Sequence, residues 1–115
     1  MKKLVWLLVV ASAPALAQGT RADISCKRTK TDLVYDCRIT LAHKEAPLDG
    51  AQVSVSADMP SMPMAHNVTP VKAVPGTNAG EYRARLALDM HGEWVVKLRI
   101  SGPVRDQIVK KMRFE

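Results

Sequence analysis

Residues 33–42 read LVYDCRITLA, and this stretch decides the fold class. Every second residue from Leu33 to Leu41 is apolar, and mainly polar side chains occupy the positions between them. Because successive side chains of a strand point to opposite faces of a sheet, this alternation predicts a strand with one buried face. Beyond residue 17, apolar residues at helical spacing are never sustained for the length of a globular helix. The sequence therefore predicts an all-β domain.

Segments before and after residues 33–42 also alternate between apolar and polar residues. Together with residues 33–42 they predict seven strands, at about 23–29, 33–42, 53–57, 68–74, 82–88, 94–100 and 104–114. Turn-forming residues separate them, most clearly from Pro75 to Gly80, where glycine provides the positive φ that tight turns require. Seven short strands at this spacing are typical of an immunoglobulin-like β-sandwich. Trp94 is the predicted centre of its core.

The first 17 residues predict a secretory signal peptide. Lys2 and Lys3 precede an apolar run from Leu4 to Ala13, and residues 15–17 read ALA, the form of a cleavage site. We therefore expect a single domain at residues 18–115, exported to the periplasm or another part of the cell envelope and not inserted in the membrane after cleavage. The alternative is a signal that is retained as an anchor.

The charge balance argues against nucleic acid as a partner. The formal net charge is +6, and loss of Lys2 and Lys3 with the signal leaves +4, spread among acidic residues. Only four aromatic residues follow the signal, too few for the stacking platform of a single-strand binder. They are Tyr35, Tyr82, Trp94 and Phe114. No Ser, His and Asp arrangement or carboxylate pair stands out, so we expect a binding protein rather than an enzyme.

The two cysteines, Cys26 and Cys37, predict a disulfide bond. In an exported chain, two cysteines favour a disulfide over a reactive thiol pair. They flank the turn between the first two strands, and a hairpin centred near Thr31 and Asp32 places them opposite each other. Closing so short a loop contributes on the order of 3 kcal/mol to stability.

The segment between the third and fourth strands is rich in methionine. Residues 59–66 read MPSMPMAH and hold three of the five methionines that follow Met1. The two prolines prevent a helix or a central strand there. Thioether sulfur is a favoured ligand of Cu(I), and imidazole binds copper in either oxidation state. This segment predicts a copper site, preferentially for Cu(I), with the candidate ligands Met59, Met62, Met64 and His66.

Topology brings a second connection into this prediction. In a sandwich of alternating strands, the connection between the fifth and sixth strands lies at the same end as the methionine-rich segment, and it contains Met90 and His91. These two residues are therefore further candidate ligands. His43 falls at the opposite end, and Met112 is predicted to pack in the core. The competing interpretation is that the methionines only pack over the end of the sandwich, with His91 an exposed turn residue.

Three segments carry a resemblance to a known family. Residues 58–66 (DMPSMPMAH), residues 80–82 (GEY) and residues 88–94 (LDMHGEW) resemble the YtkA-like and FixH-like family of exported bacterial domains. The resemblance covers the chain from about Gly50 onward. It implies an immunoglobulin-like β-sandwich in the envelope, associated with copper handling, cation pumps or efflux, and metal ligation by the methionines and histidine of residues 59–66. His91 is a departure, since the family often has proline there.

Two functions of different classes fit these observations. The first is a periplasmic copper-binding protein, a Cu(I) carrier or auxiliary factor that exchanges the ion with a membrane transporter or an oxidase-assembly partner. The second is a structural interaction module without a metal, which docks into an envelope complex through the apolar Met-Pro segment. A copper titration separates the two.

Overall fold

The computed structural model describes residues 19–115, so the predicted signal peptide lies outside the described residues. Every regular element of residues 19–115 is a strand, and the strands form two antiparallel sheets packed as a sandwich, which confirms the predicted fold class. Residues 19–115 form nine strands rather than seven. They are β1 (Thr20–Arg28), β2 (Val34–His43), β3 (Ala46–Pro47), β4 (Gln52–Asp58), β5 (Asn67–Lys72), β6 (Val74–Pro75), β7 (Glu81–Ala87), β8 (Gly92–Ser101) and β9 (Asp106–Phe114).

The strands divide between a five-stranded and a four-stranded sheet. The first sheet has the order β1-β2-β7-β6, with β3 paired to the end of β2. The second sheet has the order β5-β4-β8-β9. Each sheet mixes strands from distant parts of the chain, so the connections between sheets cross both ends of the sandwich.

The prediction of one strand over residues 68–74 is wrong, because the chain changes sheet within it. β5 pairs with β4 in the second sheet, and the Ala73 amide still donates to the Val53 carbonyl oxygen at 2.8 Å. The next residue, Val74, already pairs with Arg83 in the first sheet. Alternation shows which residues lie in strands, but it does not show which sheet they join.

The core lies between the sheets and follows the predicted alternation. Trp94 is fully buried at its centre, as are Ile39 on β2, Leu86 on β7 and Leu98 on β8. Full burial of an aliphatic side chain of this size contributes about 1.5–3 kcal/mol. These residues form the centre of the core, and Met59 and Leu88 extend it into the end connections.

A disulfide joins β1 to β2, as predicted. Cys26 and Cys37 are direct partners in the register of the two strands, with Cα atoms 4.0 Å apart. That register centres the hairpin between Thr31 and Asp32. The bond thus covalently fixes an edge strand of the first sheet to its neighbour.

Tyr82 organises one end of the sandwich, which we call the Tyr82 end. Its hydroxyl donates a hydrogen bond to the Leu48 carbonyl oxygen at 2.7 Å and accepts one from the Ala51 amide at 3.0 Å. This single buried phenol holds the long connection between β2 and β4 onto the core.

His43 also lies at the Tyr82 end. It is the last residue of β2, opposite Thr20 at the start of β1, and its Nδ1 lies 3.0 Å from the Thr20 hydroxyl oxygen. His43 is therefore far along the strands from residues 59–66, as predicted.

Three connections meet at the opposite end, which we call the Met-loop end. They are residues 29–33 between β1 and β2, residues 59–66 between β4 and β5, and residues 88–91 between β7 and β8. The Leu88 amide donates to the Leu33 carbonyl oxygen at 2.8 Å, which joins the first of these connections to the third. The fold thus brings the two predicted copper-binding segments to one end.

Candidate metal site

Residues 59–66, the Met loop, form a compact loop closed by their own backbone. The Met59 amide donates to the His66 carbonyl oxygen at 3.1 Å, and the His66 amide donates to the Met62 carbonyl oxygen at 3.0 Å. The Asn67 side-chain amide also donates to the Pro63 carbonyl oxygen at 3.1 Å. Two prolines and these hydrogen bonds therefore restrict the backbone of the loop.

The three methionines of the Met loop differ in exposure. Met59 is only 8% exposed and belongs to the hydrophobic core, whereas Met62 is 46% and Met64 is 92% exposed. A Cβ built on Gly92 would lie 3.0 Å from the Met59 Cε atom, so Met59 packs closely against the start of β8. Met59 therefore holds the loop onto the sandwich, while Met62 and Met64 offer accessible thioethers.

His66 contacts the neighbouring β7–β8 connection. Its Nδ1 lies 2.9 Å from the Asp89 Oδ2 atom, and the imidazole is 24% exposed. In the tautomer whose Nδ1–H donates to this carboxylate, Nε2 is the ring nitrogen that can bind a metal. The same arrangement of carboxylate and imidazole supports histidine ligands in metalloproteins generally.

The β7–β8 connection supplies the remaining candidates, Met90 and His91. Met90 is 38% exposed, and its carbonyl oxygen accepts a hydrogen bond from Trp94 Nε1 at 3.1 Å, which fixes its backbone to the core. His91 Nε2 lies 3.8 Å from the Asp32 Oδ1 atom, too long for a hydrogen bond. His66 is therefore the better oriented of the two histidines.

The comparison with known families extends over most of the fold. A family model described as YtkA-like matches residues 18–99. The chain belongs to the YtkA-like family. No curated protein and no solved structure matches it. The part of the chain that matches the YtkA-like family includes the Met loop, Asp89 and both histidines of the Met-loop end, but not Met112, which lies half-buried against the core on β9.

The candidate donors at the Met-loop end of this YtkA-like domain are thioethers and imidazoles, and the Asp89 and Asp32 carboxylates lie beside the two imidazoles. Within residues 19–115, no three His, Cys, Asp or Glu side chains form a group suited to a metal ion. A site here would therefore use methionine thioethers, the soft ligands that suit Cu(I). Nor does any helix in this part of the chain have the length and apolar character to cross a membrane.

Sequence reasoning missed the two carboxylates that face the histidines, Asp89 and Asp32. Each lies in a different connection from its histidine, so the contact depends on loop conformations that no local pattern encodes. One signal was available. Asp89 directly precedes Met90 in the sequence, so an acidic residue is adjacent to a predicted ligand.

Proposed function

We propose that this YtkA-like protein is a copper-binding protein of the periplasm or cell envelope, and not an enzyme. Met62, Met64 and His66 would bind Cu(I), and Met90 would complete the site, with His91 as the alternative. The observation that carries the proposal is the contact between His66 and Asp89, because it fixes an imidazole of the Met loop against the connection that holds Met90.

The accessibility of the thioethers supports a role in transfer rather than storage. Met62 and Met64 lie at the surface, where a second protein can replace them one at a time as ligands. In an oxidising compartment thiols are consumed as disulfides, so methionine is the soft ligand that stays available. We therefore propose a carrier or auxiliary factor that passes Cu(I) to or from a membrane transporter, an efflux system or an oxidase-assembly partner.

A Cu(I) titration of the purified protein, with ascorbate as reductant, tests the proposal. We expect Cu(I) to raise the Tm of the protein and the Met62→Leu/Met64→Leu variant to lose this response. Leucine is close to methionine in volume, and both side chains are exposed, so the metal-free Tm should stay unchanged. The Met112→Leu variant is the matched control and should keep the copper response. An unchanged response in the double variant would reject the site.

The exposure of Met64 also favours the second candidate, an interaction module without a metal. A thioether side chain that is 92% exposed is an adaptable apolar contact for a protein partner. In that case the leucine variant would keep its partner, and Cu(I) would leave the Tm unchanged for the original protein as well.

A further inference from the structure

The outer face of the first sheet carries a basic groove. The groove has a volume of about 540 Å³ and crosses strands β1, β2, β7 and β6. Its charged lining residues are Lys27, Arg28, Arg38, Arg83, Arg85 and Asp36. Five cations therefore surround one carboxylate, in a part of the molecule that the proposed copper site does not use.

Strand register sets these side chains in two rows. Lys27, Asp36 and Arg85 are neighbours in the row closer to the Met-loop end. Ser25, Arg38 and Arg83 form the next row. Neighbouring strands lie about 4.8 Å apart, and residues two apart on one strand are separated by about 7 Å. The backbone positions that carry the cationic side chains are thus set by the register of the sheet.

The acids near the groove leave part of its charge unpaired. Arg85 binds Asp36 with two hydrogen bonds, of 2.8 and 3.3 Å, and Arg83 binds the buried carboxylate of Glu81. Among residues 19–115, neither Arg38 nor Lys27 takes part in an ion pair. The Arg38 guanidinium, beside Arg83, is therefore available for a bidentate contact with a carboxylate.

We propose that the basic groove binds an acidic segment of a partner protein through its side-chain carboxylates. The shape of the groove favours a peptide over an anionic membrane, because a flat lipid surface does not fill a concave site. All four aromatic residues within residues 19–115 are buried, so no aromatic side chain there can act as an interfacial anchor.

The basic groove lies close to one end of the first sheet. The row of Lys27, Asp36 and Arg85 lies a few residues from the turn at residues 29–33, which itself belongs to the Met-loop end. A partner seated in the groove would therefore lie at the end of the first sheet that is nearer the Met-loop end. Binding of the acidic segment needs no metal, so this proposal is tested independently of the copper proposal.

The experiment uses the metal-free purified protein and hexaglutamate, acetylated and amidated so that only its side chains are charged. NMR titration should shift the amide signals of Arg38 and Arg83 at low ionic strength. The Arg38→Gln/Arg83→Gln variant should bind at least about tenfold more weakly, because it removes the proposed bidentate contact of Arg38 together with the neighbouring positive charge of Arg83. Arg99→Gln/Lys111→Gln removes the same charge from exposed positions of the second sheet and should change the affinity by less than about twofold.

Three results would overturn the proposal. The first is no binding of hexaglutamate, or shifts of the original protein that lie outside the groove. The second is an equal loss in the two double variants, which would show attraction to net charge alone. The third is stronger binding to phosphatidylglycerol vesicles than to the peptide, with shifts in the same groove. The shift pattern of the original protein decides the outcome even if a variant fails to fold.

Discussion

Gly80 lies so close to Leu41 that a Cβ atom at Gly80 would be 2.6 Å from the Leu41 carbonyl oxygen. The Gly80 carbonyl oxygen in turn accepts a hydrogen bond from the Leu41 amide at 2.8 Å. Gly80 also has a φ of +73°, a backbone conformation that residues other than glycine rarely adopt. Two separate costs therefore oppose any other residue at this position.

Gly80→Ala should destabilise the protein more than Gly50→Ala. Gly50 has nearly the same φ, +74°, but no atom lies within 4 Å of the position that a Cβ atom would take there. Gly50→Ala should cost about 1 kcal/mol of unfolding free energy, the backbone cost alone, and Gly80→Ala at least about 2 kcal/mol more. Urea unfolding of both variants measures this difference, and equal losses would contradict it.

Asp89→Ala should weaken Cu(I) binding about 10- to 100-fold, because it removes the acceptor that fixes the His66 tautomer. Asp32→Ala removes a carboxylate from the same end of the sandwich, but one that is 3.8 Å from its histidine, and should change the affinity by less than about twofold. Competition against a Cu(I) chelator measures both affinities. Equal losses would assign the effect to net charge rather than to His66.

Glu81 should make stability depend on pH in the acid range. The backbone amide of Asn78 donates a hydrogen bond to the Glu81 carboxylate, and Arg83 binds the same carboxylate. The pKa of Glu81 therefore lies below its ordinary value of 4.5. Because its pKa is lower in the folded state, the ionised Glu81 stabilises the protein at pH values above the ordinary pKa. This contribution is lost as the pH falls through the folded-state pKa. Glu81→Gln should therefore reduce the fall in Tm below about pH 4.5.

The control for this measurement is Glu93→Gln. Glu93 is exposed on β8 and, among the described residues, takes part in no ion pair. Its replacement should leave the acid dependence of the Tm as in the original protein. If Glu81→Gln behaves in the same way, the contacts of Glu81 do not govern acid stability.

Removal of the disulfide should cost about 3 kcal/mol of unfolding free energy, because the unfolded chain regains the freedom of a short loop. Cys26→Ala/Cys37→Ala tests this by urea unfolding. The reduced original protein keeps both side chains and separates the effect of the bond from that of packing, since Cys37 is buried. A loss below about 1 kcal/mol in both samples would show that the bond adds little.

Much of the fold could be predicted because burial in a sandwich leaves a period-two pattern in the strands of seven or more residues. The register of β1 with β2 followed from Cys26 and Cys37, and the grouping of connections at one end followed from strand alternation. The change of sheet at Ala73 could not be predicted, since it depends on pairing with residues far along the chain. The two-residue strands β3 and β6 are too short to show a pattern.

The candidate site was predictable in its residue types but not in its contacts. The density of methionine in residues 59–66, together with the affinity of thioethers for Cu(I), selected the Met loop. It did not separate Met59, which packs on Gly92, from Met62 and Met64, which face solvent. The difference in exposure depends on where the loop folds back. The hydrogen bond from the Met59 amide to the His66 carbonyl oxygen closes the loop at that point.

The pairing of Thr20 with His43 at the Tyr82 end has a practical consequence for handling the protein. β1 enters the sandwich at that end, so a tether, dye or affinity tag joined ahead of Thr20 is attached at the pole remote from residues 59–66. Protein coupled to a sensor chip in this orientation would expose its methionines to the flowing solution.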